Sequence, residues 1–302
     1  MKNLLPANGF LSVISQWFSA NILALGREMR LSYLPPLMVY VAAGISGLTG
    51  IVGTFYVKEK LGLSAEFLAM LGFWMMLPWA LKMPLGHLVD LVWRWKGLLV
   101  YLGASLIMLS LLIMIGLLGH TEAMAAMASV ETWFVISALL APIGYVLQDV
   151  VADAMTVEAV PRVDENGQKL DPDKRKLMHV TMQTLGRVAI IGGGVLVSIA
   201  NVFLLRDAGA LPEAEKEAVY LFVYQLALII PLVSIFGVVF ASWLQFREMK
   251  RFLARGHSRQ EAGVLLGIHT EPPPINWWIL GGGLVFTVLS LGVGLSRIPG
   301  GE

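Results

Sequence analysis

Cysteine is absent from the 302 residues, and charge is scarce, with Asp, Glu, Lys and Arg together making up 14%. A soluble domain carries about 25% charged residues, so a water-soluble enzyme is excluded at the outset. Lack of cysteine removes disulfide scaffolds, thiol nucleophiles and thiolate-bound metals. The formal net charge of +1 is too balanced for a nucleic-acid-binding surface, which needs a basic stripe or domain. No G-x-x-x-x-G-K-[ST] phosphate loop occurs, which argues against an ATP-driven pump. His87, His120, His179, His257 and His269 are scattered without metal-ligand spacing. Neither a metal nor any other cofactor is expected, and no clustered nucleophile and base points to an enzyme.

What the chain has instead is apolar length. Hydrophobic residues make up 57% and the mean hydropathy is +0.72. A helix needs roughly 20 apolar residues to cross a hydrocarbon layer about 30 Å thick. Such stretches occur at about 36–57, 65–85, 97–119, 133–156, 180–205, 219–244 and 277–295. They are continuous rather than alternating, which disfavours a β-barrel. The expected fold is an all-α, polytopic transmembrane helical bundle of about seven spans.

Ahead of the first span, Phe10, Leu11, Ile14, Trp17, Phe18, Ile22 and Leu25 recur at helical spacing with polar residues between them. That pattern predicts an amphipathic helix lying in the membrane interface over residues 1–30. It lacks the basic start and small-residue cleavage site of a signal peptide. Residues 31–245 then form a six-span bundle, 246–276 a basic cytoplasmic loop, and 277–302 a seventh span with a short tail.

Orientation follows from Lys and Arg. Sixteen of them fall on one side: Lys2, Arg27, Arg30, Lys82, Arg94, Lys96, Arg162, Lys169, Lys174, Arg175, Lys176, Arg247, Lys250, Arg251, Arg255 and Arg259. Five fall on the other: Lys58, Lys60, Arg206, Lys216 and Arg297. The asymmetry predicts a cytoplasmic N-terminus in the cell's inner (cytoplasmic) membrane.

Ionisable groups at membrane depth are costly and need a reason to be there. Asp149 in the fourth stretch and Arg187 in the fifth lie at similar depth on consecutive antiparallel spans. They could form a structural ion pair that fixes packing, or a site for an anionic solute or coupling proton. Asp153 follows Asp149 at i+4 on the same helix face, where like charges favour proton uptake. Alternatively Asp153 is hydrated near the interface, and Glu158 is read as a solvated loop residue. Lys82, behind Pro78 and Trp79, either snorkels to the headgroups or faces the bundle interior. The glycines at 44, 47, 50 and 53, and the triplets at 192–194 and 281–283, support close helix packing or a flexible point in a moving helix.

The turn between the second and third stretches reads Gly86-His87-Leu88-Val89-Asp90-Leu91-Val92-Trp93-Arg94-Trp95-Lys96. It resembles the G-x-L-x-D-x-x-G-R-[KR] signature of the major facilitator superfamily, with Trp93 in place of Gly and Trp95 splitting the basic pair. The resemblance implies a cytoplasmic gate at Gly86, Asp90 and Arg94. Narrower similarity is to the folate-biopterin transporter family. Leu61-Gly62-Leu63-Ser64 with Leu77-Pro78-Trp79 and Lys82 is similar to its L-G-L-S…P-W-x-x-K stretch. Gln148-Asp149-Val150-Val151-Ala152-Asp153-Ala154-Met155-Thr156-Val157-Glu158 resembles its D-V-x-A-D-A-x-x-V-E. Gln183-Thr184-Leu185-Gly186-Arg187 followed by Gly192-Gly193-Gly194 resembles its fifth span.

These likenesses imply a facilitator-type fold and secondary transport of a small organic solute, a folate, a pterin or another organic anion, by alternating access. Seven spans are an incomplete share of a twelve-span transporter. The expected partners are therefore the solute, the lipid bilayer, and a second copy or a separate C-terminal half, with no nucleic acid. Two alternatives accompany this reading: a non-transporting membrane assembly factor that binds a pigment or cofactor, and a truncated, inactive transporter remnant.

Overall fold

The computed structural model describes residues 12–13, 15–16, 24–56, 61–163, 168–267 and 274–296. Of the amphipathic segment expected at 1–30, only 12–13, 15–16 and 24–30 are among them, with Ala24–Arg27 helical. Among the described residues the architecture is all helical, with a single isolated bridge between Val163 and Lys169. Among the described residues, seven helices are long and apolar enough to cross a membrane. The chain is a multi-pass membrane protein. In chain order the elements are α1 (Leu31–Tyr56), α2 (Ala65–Leu91), α3 (Lys96–Gly119), α4 (Val130–Ala159), α5 (Pro172–Leu205) and α6 (Glu213–Ala254). The short α7 (Arg259–Leu266) and the last span α8 (Trp277–Leu295) follow.

Polar side chains set the helix starts. Ser64 Oγ accepts from the Phe67 N–H at 3.1 Å, Ser129 Oγ from Thr132, and Asp171 Oδ2 from Lys174, with Pro172 in the first turn. Prolines set the interior breaks. Pro84 cannot donate to Ala80, and α2 is interrupted at Leu81; Pro231 stands in the same relation to Ala227, and α6 is interrupted at Leu228. The break at Leu81 places Lys82 at the start of a re-aimed half-helix.

Several helices run past the apolar stretches that announce them, because hydropathy reports bilayer thickness while caps and hydrogen bonds decide where a helix ends. Helix α4 covers 30 residues, about 45 Å at 1.5 Å per residue, against a core of about 30 Å. The basic stretch expected as a loop at 246–276 is instead helical through Ala254 and again over α7. A capping box starts α7: Ser258 Oγ accepts from Glu261 N–H, and Glu261 accepts from Ser258 N–H at 2.8 Å.

Helix α4 is the centre of the bundle, packed against α3, α1 and α2, while α1 also carries α5 and α6. Lipid tails are as apolar as the side chains, so close approach at small residues does much of the packing. At Gly103 and Gly144 the backbones of α3 and α4 meet: a Cβ on Gly103 would lie 2.7 Å from the Gly144 carbonyl oxygen. At Gly44 and Gly193, α1 and α5 do the same, a Cβ on Gly44 lying 2.5 Å from the Ile190 carbonyl oxygen. One apolar core fills the end of the bundle around Val52, Ile107, Leu117 and Ile230; two smaller ones lie around Tyr40 and Met182 and around Val100 and Val150.

Helix α8 packs on α2 at the edge. Asn276 Oδ1 caps its first turn, the Asn276 N–H donates to His87 Nε2 at 2.8 Å, and Gly283 sits against the Pro84 ring.

Candidate functional site

The polar cluster lies between the two smaller cores, where α1, α2 and α4 meet. Asp149 and Asp153 are one turn apart on α4, and Lys82 at the Leu81 break of α2 reaches both. Its Nζ is 2.5 Å from Asp149 Oδ2 and 2.8 Å from Asp153 Oδ2. The hydroxyl of Tyr40, on α1, donates to Asp153 Oδ1 at 2.5 Å. Three elements far apart in sequence thus converge on one pair of carboxylates. Asp149 is ten residues from the end of α4, about 15 Å along its axis.

Burial grades across the cluster. The Asp149 side chain is 9% exposed, Lys82 37% and Asp153 49%. Asp149 lies behind Lys82, and Asp153 faces a cavity of about 670 Å³ lined also by Trp79, Lys82, Gly86, His87 and Asp90. Val150 and Ile279 add apolar walls, so the opening is bounded by α2, α4 and α8.

A pairing of Asp149 with Arg187 is one of the arrangements the sequence allows, and the geometry shows another. Lys82 is the direct ion partner of Asp149. Arg187 is exposed on α5 and acts on Asp149 and Tyr40 only as a nearby charge. Equal depth on neighbouring spans does not fix azimuth. Gly186, the residue before it, is the one pressed against the Tyr40 ring, and this turns Arg187 off the contact line. Lys82 faces the bundle rather than the headgroups because the carboxylates are there to meet it.

Asp90 is exposed and shares the cavity wall with Gly86, Lys82 and Asp153. The side chain of Arg94 lies outside the described residues. Glu158 is not a loop residue: it is on the last turn of α4, half-buried. Trp93 Nε1–H donates to its Oε1 at 2.5 Å, Lys96 pairs with its Oε2, and Lys96 Nζ lies 4.0 Å from the centroid of the Trp93 ring. Trp93, which stands where the facilitator signature has Gly, therefore fastens the α2–α3 turn to α4.

Sequence reasoning missed Tyr40, Trp93 and Lys96. An aromatic with a polar tip in an apolar span is a signal for Tyr40, because a buried phenol needs a partner. For Trp93 the departure from the signature is the signal.

With all four groups ionised, Asp149, Asp153, Lys82 and Arg187 sum to zero, two negative and two positive. A neutral set can persist at membrane depth, and changing any one charge forces another to change. Among the described residues no group of three or more His, Asp or Glu side chains is placed to hold a metal ion. Comparison with protein-family models, with curated proteins and with solved structures finds no match.

Proposed function

We propose that the chain is a secondary transporter, of facilitator type, for a small organic anion, with its N-terminus in the cytoplasm of a cell with an inner membrane. The observation that carries this reading is that Lys82 bridges Asp149 and Asp153 and that one side of this cluster opens on a cavity. A purely structural pair gains nothing from such an opening. The likeness of the turn at 86–96 to the major facilitator signature supports the same reading, as does that of 148–158 to the folate-biopterin transporters.

The chemistry follows from charge bookkeeping at the site. Lys82 is held by two carboxylates, so it is not free to bind an anion. Proton uptake on Asp153, the more exposed of the two, loosens one of those bonds, leaves Lys82 held by Asp149 alone at the cavity, and takes the four-group set, with Arg187, from zero to net +1. An organic anion then supplies the missing negative charge, with Arg187 adding attraction at longer range. Release of the proton on the other side restores the original set and expels the anion. Proton and anion thus move together.

The test is uptake into proteoliposomes. A proton gradient, acidic outside, is expected to drive accumulation of a pterin or folate probe or another organic anion. Asp153→Asn and Lys82→Ala are each expected to abolish that accumulation. Flux at the wild-type rate in both variants overturns the mechanism. A co-purifying chromophore without any flux would favour the assembly-factor reading instead.

A further inference from the structure

A second cavity, of about 1180 Å³, lies between the ends of α4 and α6 and the starts of α1 and α5, with α7 beside it. Its charge is one-sided. Arg30, Arg162, Lys174, Arg247, Arg251 and Arg255 line it, against Glu158 and Glu248. Among the described lining residues, six groups are positive and two are negative. Glu158 is already held by Lys96 and Trp93, and Glu248 lies 2.5 Å from Arg251 Nη1.

Two features show that these cations are positioned rather than merely crowded. The Arg247 side chain is 37% exposed and its guanidinium lies 5.3 Å from the centroid of the Trp243 ring, but its Nε–H is buried and has no hydrogen-bond partner, its ion partner Glu248 standing 3.9 Å away. A buried guanidinium donor without an acceptor is costly unless something with oxygen atoms meets it. The guanidinium of Arg162 rests on Gly267, where a Cβ would come within 3.0 Å of its Cζ, Nε and Nη2. Gly267 also has φ of +73°, closing α7 in the left-handed conformation that favours glycine. The end of α7 is therefore shaped to leave room for that side chain.

We infer that this cavity is a binding site for a phosphate-bearing anion. Arginine forks match phosphate oxygens two at a time, and five arginines around one space suit a multiply charged oxyanion. The same chemistry is presented by a free phosphate compound and by the headgroup of an anionic lipid at the membrane edge. This site stands apart from the transport reading and holds whether or not the chain moves a solute.

The experiment uses the full chain in nanodiscs of phosphatidylcholine. In one arm sodium pyrophosphate is titrated at constant ionic strength; in the other, phosphatidylglycerol replaces part of the lipid. Thermal unfolding and protection of the cavity arginines from phenylglyoxal, read by mass spectrometry, report binding. The wild type is expected to give a saturable rise in the unfolding midpoint and protection of Arg162 and Arg247. Arg162→Gln with Arg247→Gln is expected to weaken binding about tenfold or more. Lys176→Gln with Arg259→Gln, which removes the same charge outside the cavity, is expected to leave binding unchanged.

A response to pyrophosphate identifies a free phosphate compound, and a response to phosphatidylglycerol alone identifies a headgroup. Absence of a saturable response in both arms overturns the proposal, as does equal weakening by the two double variants. Should the glutamine pair not fold, protection of the wild-type arginines decides the matter: protection sustains the site, and none removes it.

Discussion

Lys82 is the residue on which most depends, because among the described residues it alone forms ion pairs with both Asp149 and Asp153. Removing it leaves two negative charges one turn apart with no ion partner in contact, Asp153 keeping only the Tyr40 hydroxyl, whereas removing either Asp leaves Lys82 still paired. Lys82→Ala is therefore expected to destabilise more than Asp149→Asn or Asp153→Asn. Its cost should be about 1–3 kcal/mol, below the 3–5 of a fully buried pair because Lys82 is 37% exposed. Combining Lys82→Met with Asp149→Asn and Asp153→Asn removes all three charges in direct contact and should recover most of that loss. Unfolding midpoints in detergent check the order. A triple variant less stable than Lys82→Ala alone would contradict the charge argument.

Between elements, the glycine triplet 192–194 separates packing from propensity. An added Cβ at Gly193 would sit 2.8 Å from the Gly44 Cα, whereas at Gly192 and Gly194 it meets nothing within 4 Å. Gly193→Ala should cost about 1–3 kcal/mol through overpacking of α1 on α5. Gly192→Ala should be neutral, or stabilising by up to about 1 kcal/mol, since alanine is the better helix former. Equal effects at the two positions would remove the close approach as their cause. The sequence shows three consecutive glycines and nothing that singles out the middle one; only the crossing of α1 and α5 does so.

Helix α7 carries a pH dependence of its own. The Ser258 N–H, and secondarily its side chain, hold the Glu261 carboxyl below the usual carboxylate range. A lowered value means the capping box is fully present above the ordinary carboxylate range. It is lost as pH falls through the lowered value. Protection factors of the amides in 259–266, referred to the intrinsic exchange rate at each pH, should fall as the medium is acidified through that range, and Glu261→Gln should flatten the response.

For the whole molecule, the positive-inside asymmetry makes a sided prediction, and the natural lack of cysteine makes it easy to read. Gln168→Cys and Gln260→Cys should react with an impermeant maleimide only in inside-out vesicles. Met127→Cys, on the opposite side and 76% exposed, should react only in right-side-out ones. The reverse pattern would invert the topology and with it the direction assigned to the transport cycle.

By itself the sequence determined the class of the molecule: seven spans, all helical, with ionisable residues in the second, fourth and fifth. Hydrophobic length against a fixed bilayer thickness is a one-dimensional rule, and it survives without knowledge of neighbours. Tertiary structure decided the partnerships. Depth along the membrane can be counted from the chain, but rotation about a helix axis cannot. That rotation gave Asp149 to Lys82 rather than to Arg187, brought Tyr40 to Asp153 across 113 residues, and drew Glu158 out of solvent onto Trp93 and Lys96.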